Sequence, residues 1–322
     1  MFGKKAKRVT AALLFAAIMT LTGAGCSSNN VIDIAEYGGD DLERVALAAA
    51  PAVSTILMPV ASGKTVLSNA KAEIDASNTG DGYVMVKYSD ATTSKLKVIV
   101  EGPSGAKYTY NLNGNKQFEV FPLSDGNGTY TVGVYKNIQD TKYSTDYKTT
   151  VSVKLKDEYA PFLLPNQYVN YTAGSQTVAK AAELTKNQKG DLDKIKAVYE
   201  YVVTNFTYDK QKAATVQSGY LPKLDDVLAK KTGICFDYAA LMAGMLRSQG
   251  IPCKLVVGDA GTAYHAWINA YSKTEGWMDG VIYFDGKQWK LMDPTFASSG
   301  NQSDSIMKFI GDGKNYTAKY LY

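Results

Sequence analysis

Residues 233–250 read GICFDYAALMAGMLRSQG and combine a cysteine with the pattern of a buried helix. From residue 238 onward the apolar side chains recur at helical spacing, which predicts a helix that starts near Cys235. Gly250 and Pro252 mark its end, because glycine and proline commonly follow the last turn of a helix. Gly233 is expected to permit a tight entry into the helix, so that Cys235 lies at its N-terminus.

The segments around this helix predict an α+β domain, which we assign to residues 158–322. Upstream, residues 191–206 place apolar side chains three and four apart, which indicates a helix of about four turns. Downstream, Asp285-Gly286 is a turn sequence that predicts a hairpin between the segments that flank it. Four short apolar segments are typical of strands of an antiparallel sheet packed on the helices: residues 254–257, 265–271, 281–284 and 289–292.

His265 is the only histidine of the chain, so any reaction that needs an imidazole has a single candidate. It lies on a predicted strand, and Asp293 follows at the end of a later strand, just before Pro294. A nucleophilic thiolate is stabilised by a helix N-terminus and by an imidazolium, which a carboxylate can orient. Cys235, His265 and Asp293 are therefore candidate catalytic residues on three separate elements, as in other triads. The alternative is a buried core cysteine and a core histidine.

Three blocks of sequence resemble the transglutaminase-like superfamily, in that family's order: GICFDYA at 233–239, YHAW at 264–267 and WKLMDPT at 289–295. The resemblance extends over roughly residues 191–296, with IPCK at 251–254 between the first two blocks. It implies a papain-like arrangement in which Cys235 is the nucleophile, His265 the general base and then acid, and Asp293 its partner. It also implies acyl transfer through a thioester, with the backbone N–H of Cys235 in the oxyanion hole.

Three further residues of this half each have two alternative roles. The family's second oxyanion-hole donor lies upstream of the nucleophile; Tyr208 is a candidate for it, with a core role as the alternative. Trp267 is expected to pack against His265, as core or as pocket wall. Trp277 belongs to a loop, residues 272–280, that either borders a substrate groove or forms a surface hairpin.

After Cys26, only Cys235 and Cys253 remain, which is too few for a disulfide framework. Either these two cysteines pair, or one is a working thiol. Cys253 follows a proline and starts an apolar strand, so we expect a small buried hydrophobe there. One histidine and two non-adjacent cysteines do not have zinc-ligand spacing, and no metal or other cofactor is predicted.

Residues 65–157 alternate apolar and polar side chains between turns such as GPSG at 102–105 and DGNG at 125–128. This pattern predicts an Ig-like antiparallel β-sandwich. Its tyrosines either form a face that binds glycan or peptide, or reflect the preference of tyrosine for strands. The tyrosines concerned are Tyr83, Tyr88, Tyr108, Tyr110, Tyr130, Tyr135, Tyr143 and Tyr147.

Residues 1–25 have the features of a secretory signal peptide: a basic start and an apolar stretch at 11–21 that is too short to span a bilayer. The small residues before Cys26 resemble a bacterial lipobox, in which the cysteine is acylated and becomes the new N-terminus. The alternative is an ordinary signal peptide with an incidental cysteine. In the lipobox interpretation, residues 26–64 form a tether or arm that follows the acylated cysteine. The expected location is the extracytoplasmic face of the cell membrane, with attachment by lipid.

The formal charge of +4 is carried by the four basic residues of segment 1–25, so the rest of the chain is neutral. A neutral chain lacks the electrostatic footprint of nucleic-acid binding. The combined interpretation is a membrane-tethered, thiol-dependent acyl-transfer enzyme that hydrolyses peptide or isopeptide bonds, with cell-wall peptide as one candidate substrate. The alternatives are a protein-cross-linking transglutaminase and a non-catalytic surface protein that binds or acts as a scaffold.

Overall fold

The computed structural model describes residues 56–261, 263–278, 282–284, 289–291 and 316–322. Several predicted features lie outside these residues: the signal peptide, Cys26, the arm up to residue 55, the Asp285-Gly286 turn and Asp293. Their assignments stay predictions. None of the helices in the described segments has the length and apolar character that crossing a membrane requires.

From residue 56 to residue 157, the part of the N-terminal region that the structure describes, eight strands form two four-stranded antiparallel sheets. The first has the order β1-β2-β3-β6, with β1 (Val66–Ser68), β2 (Ala72–Asp75), β3 (Tyr83–Tyr88) and β6 (Glu119–Pro122). The second has the order β5-β4-β7-β8, with β4 (Leu96–Glu101), β5 (Lys107–Leu112), β7 (Gly128–Gln139) and β8 (Lys142–Val153). Buried side chains from both sheets belong to one hydrophobic core. The predicted all-strand character is confirmed, and the sandwich arrangement stays a prediction.

The tyrosines of this region mostly fill the core rather than a binding face. Tyr110 and Tyr130 are fully buried, and the Tyr110 ring packs edge-on against Phe121 at 5.4 Å between centroids. Tyr83, Tyr88 and Tyr108 are buried as well. The alternative in which these tyrosines form a binding face is therefore wrong, because an aromatic ring must be exposed to stack on a ligand.

The region around residues 164–171 connects these sheets to the rest of the chain. The side-chain amide of Gln167 pairs with the backbone of Asn111 on β5: it accepts from the Asn111 N–H at 2.9 Å and donates to the Asn111 carbonyl at 2.9 Å. Tyr168 donates to the Thr109 carbonyl at 3.0 Å, and its ring lies 4.4 Å from that of Tyr322. The predicted boundary at residues 157 and 158 stays a prediction, and these contacts cross it.

The described residues of the C-terminal region form five α-helices followed by an antiparallel sheet, which confirms the predicted α+β class. The helices are α1 (Gln176–Thr185), α2 (Asp191–Asn205), α3 (Lys210–Thr215), α4 (Leu224–Lys230) and α5 (Cys235–Ser248). The sheet has the order β13-β12-β11-β16, with β11 (Cys253–Ala260), β12 (Ala263–Ser272), β13 (Gly276–Met278) and β16 (Tyr316–Leu321). β14 (Ile282–Phe284) and β15 (Trp289–Leu291) pair as the predicted hairpin, and β9 (Thr207–Tyr208) pairs in parallel with β10 (Thr232–Gly233).

Helix α5 is the central element of this region. Every residue from Asp237 to Ser248 is buried, because three helices and two strands pack against α5: α1, α2, α4, β11 and β12. Gly244 permits the close approach of α4, since a Cβ atom there would lie 2.6 Å from the Leu224 side chain. The helix ends as predicted, with Gly250 at a φ of 75° and its N–H bonded to the Arg247 carbonyl at 3.0 Å.

Candidate active site

Cys235 is the first residue of α5 and is half-buried. The chain enters the helix from β10, whose residue Gly233 is paired with Tyr208 of β9. The Asp209 N–H donates to the Gly233 carbonyl at 2.9 Å and extends this pairing. The short parallel ladder therefore fixes the direction in which Cys235 is presented. Cys235 therefore lies at the N-terminus of the helix, where backbone N–H groups have no partner within the helix.

Asp237, two residues after the cysteine, is fully buried and was not identified as a site residue from the sequence. Its Oδ2 atom accepts from the Ile234 N–H at 2.9 Å and from Lys212 Nζ at 2.6 Å. Its Oδ1 atom accepts from the Tyr220 hydroxyl at 2.6 Å. A carboxylate at the third position of a helix that bonds back to the residue before the helix is half of a capping box, but Ile234 cannot supply the other half, so the sequence lacks the usual capping-box signal.

Gly233 has a different role from the expected one. It does not adopt a positive φ, so the freedom of glycine in the left-handed region is not needed. Instead, an added Cβ atom would lie 2.7 Å from the Asp237 Cβ and 2.9 Å from its Oδ2 atom. The glycine is required because Asp237 packs against it.

His265 lies on β12, opposite Gly258 of β11, and is 7% exposed. The Trp267 ring stacks near the imidazole, with 6.3 Å between centroids and 23° between planes. Tyr316 of β16 contacts the same group, at 6.3 Å from the His265 ring and 5.2 Å from the Trp267 ring. The imidazole therefore lies near two aromatic rings, Trp267 of its own strand β12 and Tyr316 of β16, which is on the far side of β11 in the sheet.

A pocket of about 510 Å³ has both Cys235 and His265 in its walls. The tertiary structure thus brings together the two residues that carry the predicted chemistry, one from a helix start and one from a strand. Tyr208 also lines the pocket. Asp293 lies outside the described residues. The other described residues of the walls are Tyr168, Ala213, Val216, Gln217, Ser218, Gly219, Tyr220, Ile234, Phe236, Val257, Tyr264, Ala266 and Tyr322.

Residues 178–294 match the family model described as the transglutaminase-like superfamily. This part of the chain is a transglutaminase-like domain. The match includes α2, α5, β11 and β12, and so contains both Cys235 and His265.

Among curated proteins, the uncharacterised protein YebA of Bacillus subtilis strain 168 is 25% identical to this chain over 198 residues. That alignment covers 52% of this chain and 25% of YebA, so the chain spans about a quarter of the length of this relative.

Two solved structures are similar to the chain at low identity. A proposed cysteine protease from Cytophaga hutchinsonii has a TM-score of 0.36 and 17% identity, covering 72% of this chain and 73% of that one. Red sea bream transglutaminase has a TM-score of 0.27 and 13% identity, covering 73% of this chain and 55% of that one.

Tyr208 of the transglutaminase-like domain is half-buried, and its ring packs edge-on against Tyr238 of α5 at 6.4 Å. The ring is thus part of the pocket wall and contacts the core at the same time. Its assignment as an oxyanion donor stays a prediction. Trp267, in contrast, is 5% exposed and is not among the described residues that line the pocket.

Cys253 of the same domain is fully buried, and both Cys235 and Cys253 are free thiols. The alternative in which these two cysteines pair is therefore wrong, and the expected buried hydrophobe is found. Burial raises the pKa of the Cys253 thiol to about 12, and the nearby Arg247 cation opposes this only in part. Cys253 stays a neutral thiol at physiological pH, which excludes it as the nucleophile.

Trp277 belongs to a β-hairpin, because β13 pairs antiparallel with the end of β12. Its ring packs against Phe162 at 5.5 Å and Tyr271 at 5.4 Å, and Lys254 Nζ lies 3.6 Å from its centroid. Trp277 is not one of the described residues of the pocket. Of the two expectations for this loop, the surface hairpin is confirmed.

Proposed function

We propose that this protein is a thiol-dependent acyl-transfer enzyme that hydrolyses peptide or isopeptide bonds. The observation that carries the proposal is that Cys235, at the N-terminus of α5, and His265, on β12, lie in the walls of one pocket. The match of residues 178–294 to the transglutaminase-like superfamily supports the same chemistry.

The proposed reaction has two halves. His265 accepts the proton of the Cys235 thiol, and the sulfur attacks the substrate carbonyl carbon. The carbon–nitrogen bond then breaks, His265 donates the proton to the departing amine, and a thioester to Cys235 remains. In the second half, His265 takes a proton from water, the hydroxide attacks the thioester, and the proton returns to the sulfur as the carboxylic acid leaves.

Residues around these two groups would stabilise the transition state. The backbone N–H of Cys235 lies in the first turn of α5, where N–H groups have no partner within the helix, and it would donate to the oxyanion. Tyr208, in the pocket wall, is the candidate for the second donor. Asp293 is the proposed partner that orients the imidazole and stabilises its charged form.

The proposed location is the extracytoplasmic face of the membrane, with Cys26 carrying the lipid after removal of residues 1–25. This location exposes the pocket to peptides and proteins outside the cytoplasm, including cell-wall peptide as a candidate substrate. The proposal for the anchor is independent of that for the chemistry, since the two rest on different parts of the chain.

A peptide library incubated with the protein in ¹⁸O-labelled water, with and without an added primary amine, tests the reaction by mass spectrometry. Hydrolysis predicts new carboxyl groups that carry one ¹⁸O atom and are absent with Cys235→Ala. Amine adducts in place of labelled acids would identify a cross-linking transglutaminase instead. No product, together with no rapid reaction of Cys235 with a small thiol electrophile, would identify a non-catalytic protein and overturn the proposal.

A further inference from the structure

One wall of the pocket is a segment, residues 212–220, whose two ends meet at one carboxylate. Lys212 Nζ lies 2.6 Å from Asp237 Oδ2, and the Tyr220 hydroxyl lies 2.6 Å from Asp237 Oδ1. The ammonium of Lys212 also donates to the Tyr220 hydroxyl at 2.7 Å and lies 4.4 Å from its ring centroid. Asp237 therefore closes this segment into a loop.

Residues 213–219, between these two ends, have few described contacts with the rest of the protein. All of residues 213–219 are exposed, and α3, which makes up the first part of the loop, has no buried residue. The described hydrogen bonds of these residues are local: Val216 N–H donates to the Lys212 carbonyl at 2.8 Å, and the Gln217 side chain donates to the Thr215 carbonyl at 2.8 Å. The position of the loop thus depends largely on the contacts of its two ends, Lys212 and Tyr220, with Asp237.

Asp237, to which both ends of the loop bind, belongs to α5, the helix that carries Cys235. Asp237 is fully buried, and its third partner is the Ile234 N–H at the helix start. A buried carboxylate is stable only when its oxygens are paired and hydrogen-bonded, so the partners of Asp237 are held firmly in place. Burial, together with the hydrogen bond to Asp237, raises the pKa of Tyr220, which keeps its hydroxyl protonated as a donor.

The loop contributes Ala213 and residues 216–220 to the wall of the pocket. Lys212 itself does not line the pocket, so its effect on the pocket passes through the loop. We propose that Asp237 is a positioning residue which, by pairing with both Lys212 and Tyr220, holds this loop against the nucleophile's helix as a substrate-binding wall. The inference rests on the proposed function in one respect: the pocket must be the substrate site.

The variant Lys212→Met tests this proposal, with Lys210→Met as the matched control. Lys210 is the first residue of α3 and is exposed, so its loss removes the same charge from the same helix without touching Asp237. Hydrogen–deuterium exchange of the backbone is measured in the folded proteins, and KM and kcat are measured with the best peptide from the library.

The expected result for Lys212→Met is faster exchange across residues 213–219, with exchange of α2 unchanged. We also expect a KM raised by about tenfold, as for the loss of one hydrogen bond to a charged group, with a much smaller change in kcat. Tyr220→Phe, which leaves the ion pair intact, should accelerate exchange at the same residues. Lys210→Met should match the wild type in exchange and in KM.

Two results would overturn the proposal. Unchanged exchange in residues 213–219 of Lys212→Met would show that the ion pair does not hold the loop. Faster exchange with an unchanged KM would show that the loop is not a substrate-binding wall. A wild-type protein without any thiol-dependent turnover would overturn the proposed function, and the exchange measurement would still decide whether Asp237 holds the loop.

Discussion

A Cβ atom on Gly233 would lie 2.7 Å from the Cβ atom of Asp237, closer than two carbon atoms pack in a folded protein. Gly233→Ala should therefore displace Asp237 and weaken its bond to the Ile234 N–H, at a cost of about 1–3 kcal/mol in the free energy of unfolding. Urea denaturation measures the effect. Gly174→Ala is the control, because an added Cβ there has no atom within 4 Å. Equal stability of the two variants would contradict the packing argument.

Alkylation by iodoacetamide at pH 7 should modify Cys235 much faster than Cys253 in the folded protein. Cys235 is half-buried in a pocket wall at a helix N-terminus, whereas Cys253 is fully buried. The pKa of Cys253 is raised to about 12, so its thiol keeps its proton and stays unreactive up to strongly alkaline pH. Peptide mapping after timed labelling gives both rates. Similar rates in the native state would argue against Cys235 as the nucleophile, and both sites should react once the protein is denatured.

Turnover should depend unequally on the three candidate catalytic residues. Cys235→Ser and His265→Gln should both reduce kcat/KM close to background, since a hydroxyl is ionised far less readily than a thiol and the chain has no second histidine. Asp293→Asn should cost less, about 10²- to 10⁴-fold, because an amide still accepts a hydrogen bond from the imidazole but does not stabilise its charge.

Measurement of kcat/KM with the best peptide from the library checks these triad variants, with Cys253→Ala as a control that should stay active. If Cys235→Ser or His265→Gln kept substantial activity, the chemistry would have to lie elsewhere. A fully active Asp293→Asn enzyme would show that this carboxylate has no catalytic part.

Arg247 should be among the most sensitive positions for stability. It is 2% exposed and donates to three carbonyls: Cys253 at 2.8 Å, Leu164 at 2.7 Å and Tyr322 at 2.5 Å. Arg247→Met fills a similar volume but removes three buried hydrogen bonds, and only the Tyr322 oxygen keeps a described partner, the Leu255 N–H, so the free energy of unfolding should fall by about 3 kcal/mol or more. Thermal and urea unfolding measure the loss, with the exposed Lys230→Met as control. A change of less than about 0.5 kcal/mol, as at ordinary surface positions, would contradict this role.

Cys26→Ala should release the protein from the membrane fraction while leaving its turnover unchanged, because the catalytic candidates lie far along the chain from the proposed anchor. Growth of a bacterial host with a radiolabelled fatty acid provides the direct measurement: the wild type should be labelled and the variant should not. An unlabelled wild type would leave the ordinary signal peptide as the better interpretation.

The longer elements of the fold could be predicted from local pattern because burial imposes a period on the sequence. Helix α2 buries Ile195, Val198, Tyr199 and Val202, the residues whose spacing indicated a helix. In the N-terminal region the alternation predicts strands at 83–88, 95–100, 117–121, 129–135 and 151–155, and β1, β2 and β5 lie outside these segments. β1 and β2 have three and four residues, too few to establish a period. β5 alternates exposed and buried side chains, and its buried members Tyr108, Tyr110 and Leu112 fit the interpretation that these tyrosines reflect a preference for strands.

The sequence by itself determined that Cys235 begins a helix and that His265 is the one available imidazole, because helix boundaries and residue counts are local properties. Only the tertiary structure decided that these two residues line one pocket, that Cys253 is excluded from the chemistry, and that Lys212 and Tyr220 converge on Asp237. The physical reason is that the burial of a side chain and the partners of a buried charge depend on contacts between segments far apart in the chain. No period or spacing within a single segment encodes those contacts.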